Sequence, residues 1–388
     1  MYYFDNCATT FMSKKVLKAI SNAPQGNSNS IHIVGREAKA LVQKAEEKVK
    51  ELIGAKDGQI IWTSGGTEAN TLALVNTLPD PTKFCRIHRV GSRIEHASVY
   101  YLIQEKIDVT ENGELKVDEL VNIVNFTSPF LVSVMSVNNE IGVIQPIHSI
   151  AHHLKETNQQ PYFHIDHVQG FGKIFFNVEE IGCDLVTLSA HKVGGPKGVG
   201  CLWLREGIEF IKPYTHTLNI PGIAGFLEAM KEVNDKKYIE YMTPIHKAFE
   251  DTLGNGGLLP ELAKINGYYA PGVLGVFSIT IPGISASELL LELDSQGMYV
   301  SAGSACHEGE EKPSHVLRSL GLTKEEALST IRISLGKNNT EEEVIEGARL
   351  LVQTVKKMKG RSNDGPVLNS NSRCSDGEDS EWKILGRD

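Results

Sequence analysis

The sequence predicts an α/β protein, with a large domain on a mainly parallel sheet and a smaller C-terminal α/β unit. Two observations carry this expectation. Short apolar, β-rich runs alternate with helical patterns through most of the chain, the rhythm of strand–helix–strand units. Beyond Asn255-Gly256-Gly257, where polar and glycine content rises, a second and shorter series of strands and helices begins.

The elements follow in order. From Glu37 to Gly54, Ala38, Leu41, Val42, Ala45, Val49 and Leu52 recur at helical spacing and a glycine closes the run. Ile60-Ile61-Trp62-Thr63 reads as a strand entering a Ser-Gly-Gly turn, with a helix from about Glu68. Phe130 to Val137, Tyr162 to Ile165 and Leu185 to Leu188 are further strands, and Ile147 to Thr157 is a helix. In the second unit, Val276 to Ile281 is a strand, Ala286 to Gln296 a helix and Glu341 to Lys359 a long amphipathic helix. The expected division is a large domain at 14–254 and a small one from 1–13 and 255–360. Residues 361–388 are polar and poor in apolar side chains, so a disordered tail is expected there. Trp382, Ile384 and Leu385 offer a docking patch as the alternative.

Composition narrows the function. The 388 residues carry 41% hydrophobic and 22% charged side chains, ordinary for a soluble protein with a sizeable core. The net charge of −9 speaks against nucleic-acid binding, which needs basic surface to neutralise phosphates. No apolar run approaches the ~20 residues of a membrane span, and Met1-Tyr2-Tyr3-Phe4-Asp5 lacks a signal-peptide pattern. The six cysteines form no CxxC pair, so reduced thiols and a cytoplasmic location are expected.

The richest stretch for chemistry is Ser189-Ala190-His191-Lys192-Val193-Gly194-Gly195-Pro196-Lys197-Gly198-Val199-Gly200. Lys192 follows a buried strand inside a glycine-rich turn, where a crowded cleft would lower its pKa and make it a Schiff-base nucleophile. Ser189 and His191 beside it are candidate phosphate donors. Two other readings compete: a solvated loop lysine, and the Ser-x-x-Lys pair of serine hydrolases, which lacks a Ser-Asp-Asn element here.

In His164-Ile165-Asp166-His167-Val168-Gln169, an aspartate at a strand's carboxyl end suits the protonated nitrogen of a pyridoxal ring. Val168 would press on the ring and Gln169 reach its hydroxyl, whereas a helix-capping aspartate is the structural alternative. His164 and His167 form an HxxH pair, but three residues apart on a strand they point to opposite faces, which disfavours a metal. Ser64-Gly65-Gly66-Thr67-Glu68-Ala69-Asn70 joins a strand to a helix whose free N–H groups favour an anion. Many βα turns are glycine-rich, so its value lies in coinciding with Lys192.

Cys306 lies in Ser301-Ala302-Gly303-Ser304-Ala305-Cys306-His307-Glu308, where small and polar neighbours imply an exposed, reactive loop thiol. The remaining cysteines read as structural or, for Cys374, as part of the tail. His96, in Glu95-His96-Ala97-Ser98, offers a flat ring for stacking, although a lone histidine is more often unspecialised. Arg332 sits in an apolar run from Ile331 to Leu335 and needs an anion, either a substrate carboxylate or an internal acid.

Together these residues resemble the cysteine desulfurases, pyridoxal-phosphate enzymes of the class-V aminotransferase group with fold type I. The likeness runs from about Tyr3 to Val355 and rests on YFDNCATT, SGGTEAN, EHASV, VNNEIG, HIDHVQ, SAHKVGGPKGVG and the SAGSAC loop. The resemblance implies that Lys192 holds the cofactor, His96 stacks on the ring, and Asp166 pairs with the ring nitrogen. It further implies that Gln169 and Asn139 support ring and substrate, and that Gly66, Thr67, Ser189 and His191 bind the phosphate. Arg332 takes the substrate carboxylate, and Cys306 accepts sulfur on a long mobile loop that serves an iron–sulfur scaffold. L-Cysteine is the implied substrate, a homodimer the implied assembly, and no metal is resident. The glycine-rich loop the family carries between the positions of His216 and Thr217 is missing here, and Thr217 matches a threonine that reaches the partner's phosphate. Cys7 and His167 stand where the family usually has alanine. The rival readings are a selenocysteine lyase or other class-V lyase, and a catalytically impaired homologue with a binding or regulatory role.

Overall fold

The computed structural model describes residues 1–79, 86–211, 217–302 and 312–363. Its central sheet has seven strands in the spatial order Gln59–Thr63, Gly200–Leu204, Leu185–Ser189, Tyr162–Asp166, Pro129–Met135, Arg86–Ser92 and Glu105–Ile107. Gly200–Leu204 runs antiparallel to both neighbours, and the remaining strands run parallel to one another. All seven residues of Pro129–Met135 are buried. That explains its unbroken apolar sequence, since helices cover both faces of a parallel sheet.

Helix Ile33–Ile53 buries Ala38, Val42, Ala45, Val49 and Ile53 on one face and ends at Gly54, whose φ of 70° suits glycine. It begins four residues before the expected Glu37 because Ile33 and Val34 are exposed and break the apolar period. The large core joins this face to the underside of the sheet through Trp62, Val132, Ile165 and Trp203.

A second core gathers around Phe4, Phe249, Phe277, Ile331 and Ile333. Its four-stranded antiparallel sheet has the order Ser301–Ala302, Thr330–Ser334, Val276–Thr280, Lys264–Ile265. Helix Asp235–Asn255 packs Met242, Ile245, Phe249 and Leu253 into this core, so the glycines after Asn255 mark its C-terminus. The chain's first strand, Tyr2–Tyr3, pairs in parallel with Met298–Tyr299, which brings the N-terminal segment to this unit. Helix Glu341–Asn363 extends past Lys359, so residues 361–363, expected in the disordered tail, are helical. The rest of that tail lies outside the described residues.

Candidate active site

The carboxyl ends of the parallel strands open on a cleft of about 370 Å³, where an α/β sheet binds its ligands. Lys192 closes a single 3-10 turn, Ala190–Lys192, directly after strand Leu185–Ser189. Its Nζ donates to the carbonyls of Cys7 at 2.5 Å and Ala8 at 3.0 Å. Burial pulls its pKa down to about 8, helped by repulsion from Arg332 and Lys173 and opposed by the Cys7 thiol and Asp5. A substantial neutral fraction near neutrality makes this amine a nucleophile. Ser189 Oγ is buried without a partner, so the serine–lysine pair of a hydrolase is not formed.

Asp166 ends strand Tyr162–Asp166 and lines the same cleft. Its Oδ2 accepts from Asn70 Nδ2 at 2.7 Å, and its Oδ1 accepts from the Val168 N–H at 3.0 Å. The second bond caps a turn; the helix that the structural alternative expected Asp166 to cap does not follow it. Gln169 Nε2 donates at 2.9 Å to the Cys7 carbonyl, the oxygen that Lys192 also reaches.

Helix Gly66–Val75 starts at the cleft with Gly65 as its cap and no capping side chain, leaving its first N–H groups for an anion. A Cβ on residue 66 would lie 2.9 Å from Val168 Cγ2 and 3.6 Å from Ser189 Cβ. Only glycine leaves the wall flush there. Thr67 and His191 complete this end of the cleft, where burial lowers the His191 pKa to about 4 and keeps the ring neutral. The orphaned Ser189 hydroxyl, the uncapped helix start and Gly66 fit a phosphate, and Lys192 and Asp166 fit an aldehyde-bearing pyridine.

Arg332, on strand Thr330–Ser334, enters the cleft from the second core. Its guanidinium donates to Asn139 O at 2.9 Å and to Asp5 Oδ1 at 2.8 Å, while Nε has no partner. The internal acid expected as one alternative therefore occupies one edge of the fork. His96 borders the cleft, with Nδ1 2.8 Å from Ser98 Oγ.

The family description "Aminotransferase class-V" matches residues 2–346. A Methanosarcina thermophila protein named cysteine desulfurase IscS is 33% identical across 93% of this chain and 93% of its own length. A solved structure titled NifS-like protein superposes with a TM-score of 0.81 at 32% identity, covering 92% of this chain and 99% of that one. A NifS-like protein from Rickettsia africae superposes at 0.80 with 30% identity, covering 92% and 99%. The chain belongs to the cysteine desulfurase family of class-V aminotransferases.

As a cysteine desulfurase family member it has the fold of pyridoxal-phosphate type I enzymes, and ten of its expected site residues share one cleft. Two do not. Thr217 is exposed and does not line the cleft, and Cys306 falls outside the described residues, as does His216 at the shortened loop. The ends flanking residues 303–311 are nevertheless anchored at the cleft walls. Ala302 pairs with Ile331, and Ser314 Oγ donates at 2.5 Å to Glu140 Oε2.

The HxxH pair is split, as the strand period requires. His164 bonds Ser133 Oγ at 2.8 Å and Thr187 Oγ1 at 3.0 Å, whereas His167 bonds Ser136 Oγ at 2.8 Å and stacks on Phe176. Burial drives both pKa values to about 3.

Sequence reasoning missed three residues and misread one. Asn70 supports Asp166, and its only signal was a polar residue buried in a helix. Glu95, next to His96 in the chain, is wholly buried and accepts from Ser92 Oγ and from the Met135 N–H. Lys173 donates to Gln169 Oε1 at 3.1 Å. Cys7, read as structural, is a wall of the cleft, whereas Cys183 and Cys201 are inert core thiols whose pKa values burial pushes up.

Proposed function

We propose that this chain is a pyridoxal-phosphate-dependent cysteine desulfurase that converts L-cysteine to L-alanine. Its sulfur leaves as a persulfide on Cys306 for an acceptor in iron–sulfur cluster or thio-cofactor synthesis. The observation that carries the reading is the convergence of Lys192, Asp166 and the Gly66–Ser189 hollow in one cleft with an arginine at its rim. When bound, pyridoxal phosphate supplies an aldehyde that condenses with amines and a ring that stores the electron pair left at the substrate α-carbon.

The protein's own groups do the rest. Gly66, Thr67, Ser189 and His191 would grip the phosphate, and Asp166, steadied by Asn70, would hold the ring nitrogen protonated. His96 and Val168, which line the same cleft, would bound the ring, and Gln169 would meet its hydroxyl. Arg332 takes the substrate carboxylate beside Asn139. Lys192 Nζ, with its depressed pKa, removes the α-proton as a general base. Cys306 Sγ attacks the substrate sulfur; the S–S bond forms as the carbon–sulfur bond breaks. The electron pair stays on carbon, which takes up a proton and leaves as alanine.

A homodimer belongs to the same reading. Phe11, Ile31, Ile33 and Val34 are exposed apolar side chains of the kind a partner covers, and exposed Thr217 is free to reach the neighbouring phosphate. A cytoplasmic location completes it; among the described residues no helix is long and apolar enough to cross a membrane.

The test is alanine and sulfide production from L-cysteine with reductant present. Equal yields, lost in Lys192→Ala and in Cys306→Ala, are expected. Sulfide release that survives Lys192→Ala overturns the mechanism. Selenide release from selenocysteine that survives Cys306→Ala, with cysteine unused, points to a lyase. A protein that stays colourless with added pyridoxal phosphate is an impaired homologue.

A further inference from the structure

A second cavity, of about 260 Å³, shares only Cys7 and Lys192 with the cofactor cleft. It lies where the two cores meet, between Phe171 and Val233 of the first and Leu335 and Tyr238 of the second. Junctions of this kind are common places for ligands. Its volume falls just below the ~300 Å³ at which drug-sized pockets begin, so an occupant would be small.

The lining is unusual in its charge. Phe171 and Leu335 are fully buried and Val233 and Val276 half-buried, giving an apolar middle. Lys173 contributes an ammonium whose hydrogen-bond acceptor is the neutral amide oxygen of Gln169, at 3.1 Å. Burial lowers the pKa of Lys173, with repulsion from Arg332 helping and the Cys7 thiol opposing, and among the described residues lining the cavity Glu232 is the one carboxylate. Glu232, the acid on this wall, is engaged by Lys337 at 2.7 Å and by Ser13 at 3.1 Å. Lys173 is half-buried, and a partly desolvated cation beside apolar walls is stabilised by an anion.

We propose that this cavity binds a small organic monocarboxylate with an apolar body. The carboxylate meets Lys173, and the body packs against Phe171, Val233 and Leu335. Nothing assigned to cofactor or substrate lines the cavity apart from Lys192. Two bonds link the site to the reaction. Lys173 holds Gln169, and Gln169 holds the Cys7 carbonyl that also accepts from Lys192. An occupant drawing Lys173 away from Gln169 would loosen the contact assigned to the ring hydroxyl. That consequence rests on the proposed function, but the binding itself does not.

The experiment is calorimetric titration of benzoate into the full-length holoenzyme, with benzamide as the uncharged isostere. Saturable binding of one benzoate per chain is expected, weakened about tenfold or more by Lys173→Met and in benzamide, since a charge-assisted bond is lost. Val233→Trp, which fills the half-buried middle, should abolish it, and Arg332→Lys should leave it within about twofold. No saturable heat up to about 10 mM overturns the proposal. So does binding that survives both Val233→Trp and Lys173→Met, or that Arg332→Lys alone removes, which would place benzoate in the substrate cleft. The heat is read without turnover, so failure of the desulfurase reading would leave this result interpretable.

Discussion

Ser314 Oγ donates at 2.5 Å to Glu140 Oε2, tying the start of helix His315–Ser319 to the loop that carries Asn139. Glu140 is buried, its pKa raised to about 7 by that burial, with Ser314 and Arg332 pulling the other way. The carboxyl group thus feels Arg332, proposed above to take the substrate carboxylate, and is bonded at the root of the segment bearing Cys306. Ser314→Ala leaves a buried acid without its donor, a loss of ~1–3 kcal/mol. Turnover should fall roughly 5- to 160-fold on that energy, while the cofactor's visible absorbance remains. Parallel measurement of alanine formation and the absorption spectrum checks this; loss of both together would show a general folding defect.

Asn70→Leu removes the amide that donates at 2.7 Å to Asp166 and at 2.9 Å to Ser98. Hydrogen bonds to a charged group contribute ~1.5–3 kcal/mol, so cofactor affinity should drop at least about tenfold. Spectroscopic titration of the apoprotein with pyridoxal phosphate gives the value directly. Unchanged affinity would mean that Asp166 holds its position without Asn70.

Gly66→Ala places a methyl group 2.9 Å from Val168 Cγ2. Overpacking of this kind costs ~1–3 kcal/mol and would narrow the phosphate hollow. The double change Gly66→Ala, Val168→Ala should restore most of the lost cofactor affinity. If the second change brings no recovery, the glycine is needed for contact with phosphate rather than for clearance from valine.

Glu95 predicts a pH effect with a definite sign. Burial raises its pKa from 4.5 to about 8, so the folded protein keeps the proton while the unfolded chain releases it above 4.5. Its contribution to stability is full below 4.5 and is lost as pH rises toward 8, at ~1.4 kcal/mol per pH unit at most. Glu95→Gln mimics the protonated acid and removes that loss. The variant's Tm advantage over the parent should therefore grow between pH 5 and pH 8, measured by thermal unfolding. An advantage independent of pH would show that Glu95 is ionised in the fold.

Much of this site was readable because its chemistry needs rare residue types in rare places. A lysine inside a glycine turn, an aspartate ending an apolar strand and an arginine within another were each visible alone. What sequence could not show was their support. Asn70 acts on Asp166 and Glu95 on Met135, partners distant in the chain, and Lys173 acts only through Gln169. The same distance hid the role of Cys7, which bears on Lys192 through a carbonyl oxygen that every residue possesses. Strands Gln59–Thr63, Pro129–Met135, Tyr162–Asp166, Leu185–Ser189 and Val276–Thr280 were legible from apolar runs, whereas Arg86–Ser92, Glu105–Ile107 and Gly200–Leu204 were not read. Helix Asp235–Asn255 escaped because its exposed residues and Pro244 dilute the period.

The opening residues have a role that matters for anyone handling the protein. Asp5 pairs with Arg332, and the carbonyls of Cys7 and Ala8 hold Lys192, so this segment needs partners that lie far later in the sequence. During translation the reaction centre stays unassembled until strand Thr330–Ser334 has left the ribosome. Losing residues 1–10 would therefore cost the cleft its holds on Lys192 and Arg332 and would also strip Phe4 from the second core, so stability and site geometry depend on the same ten residues.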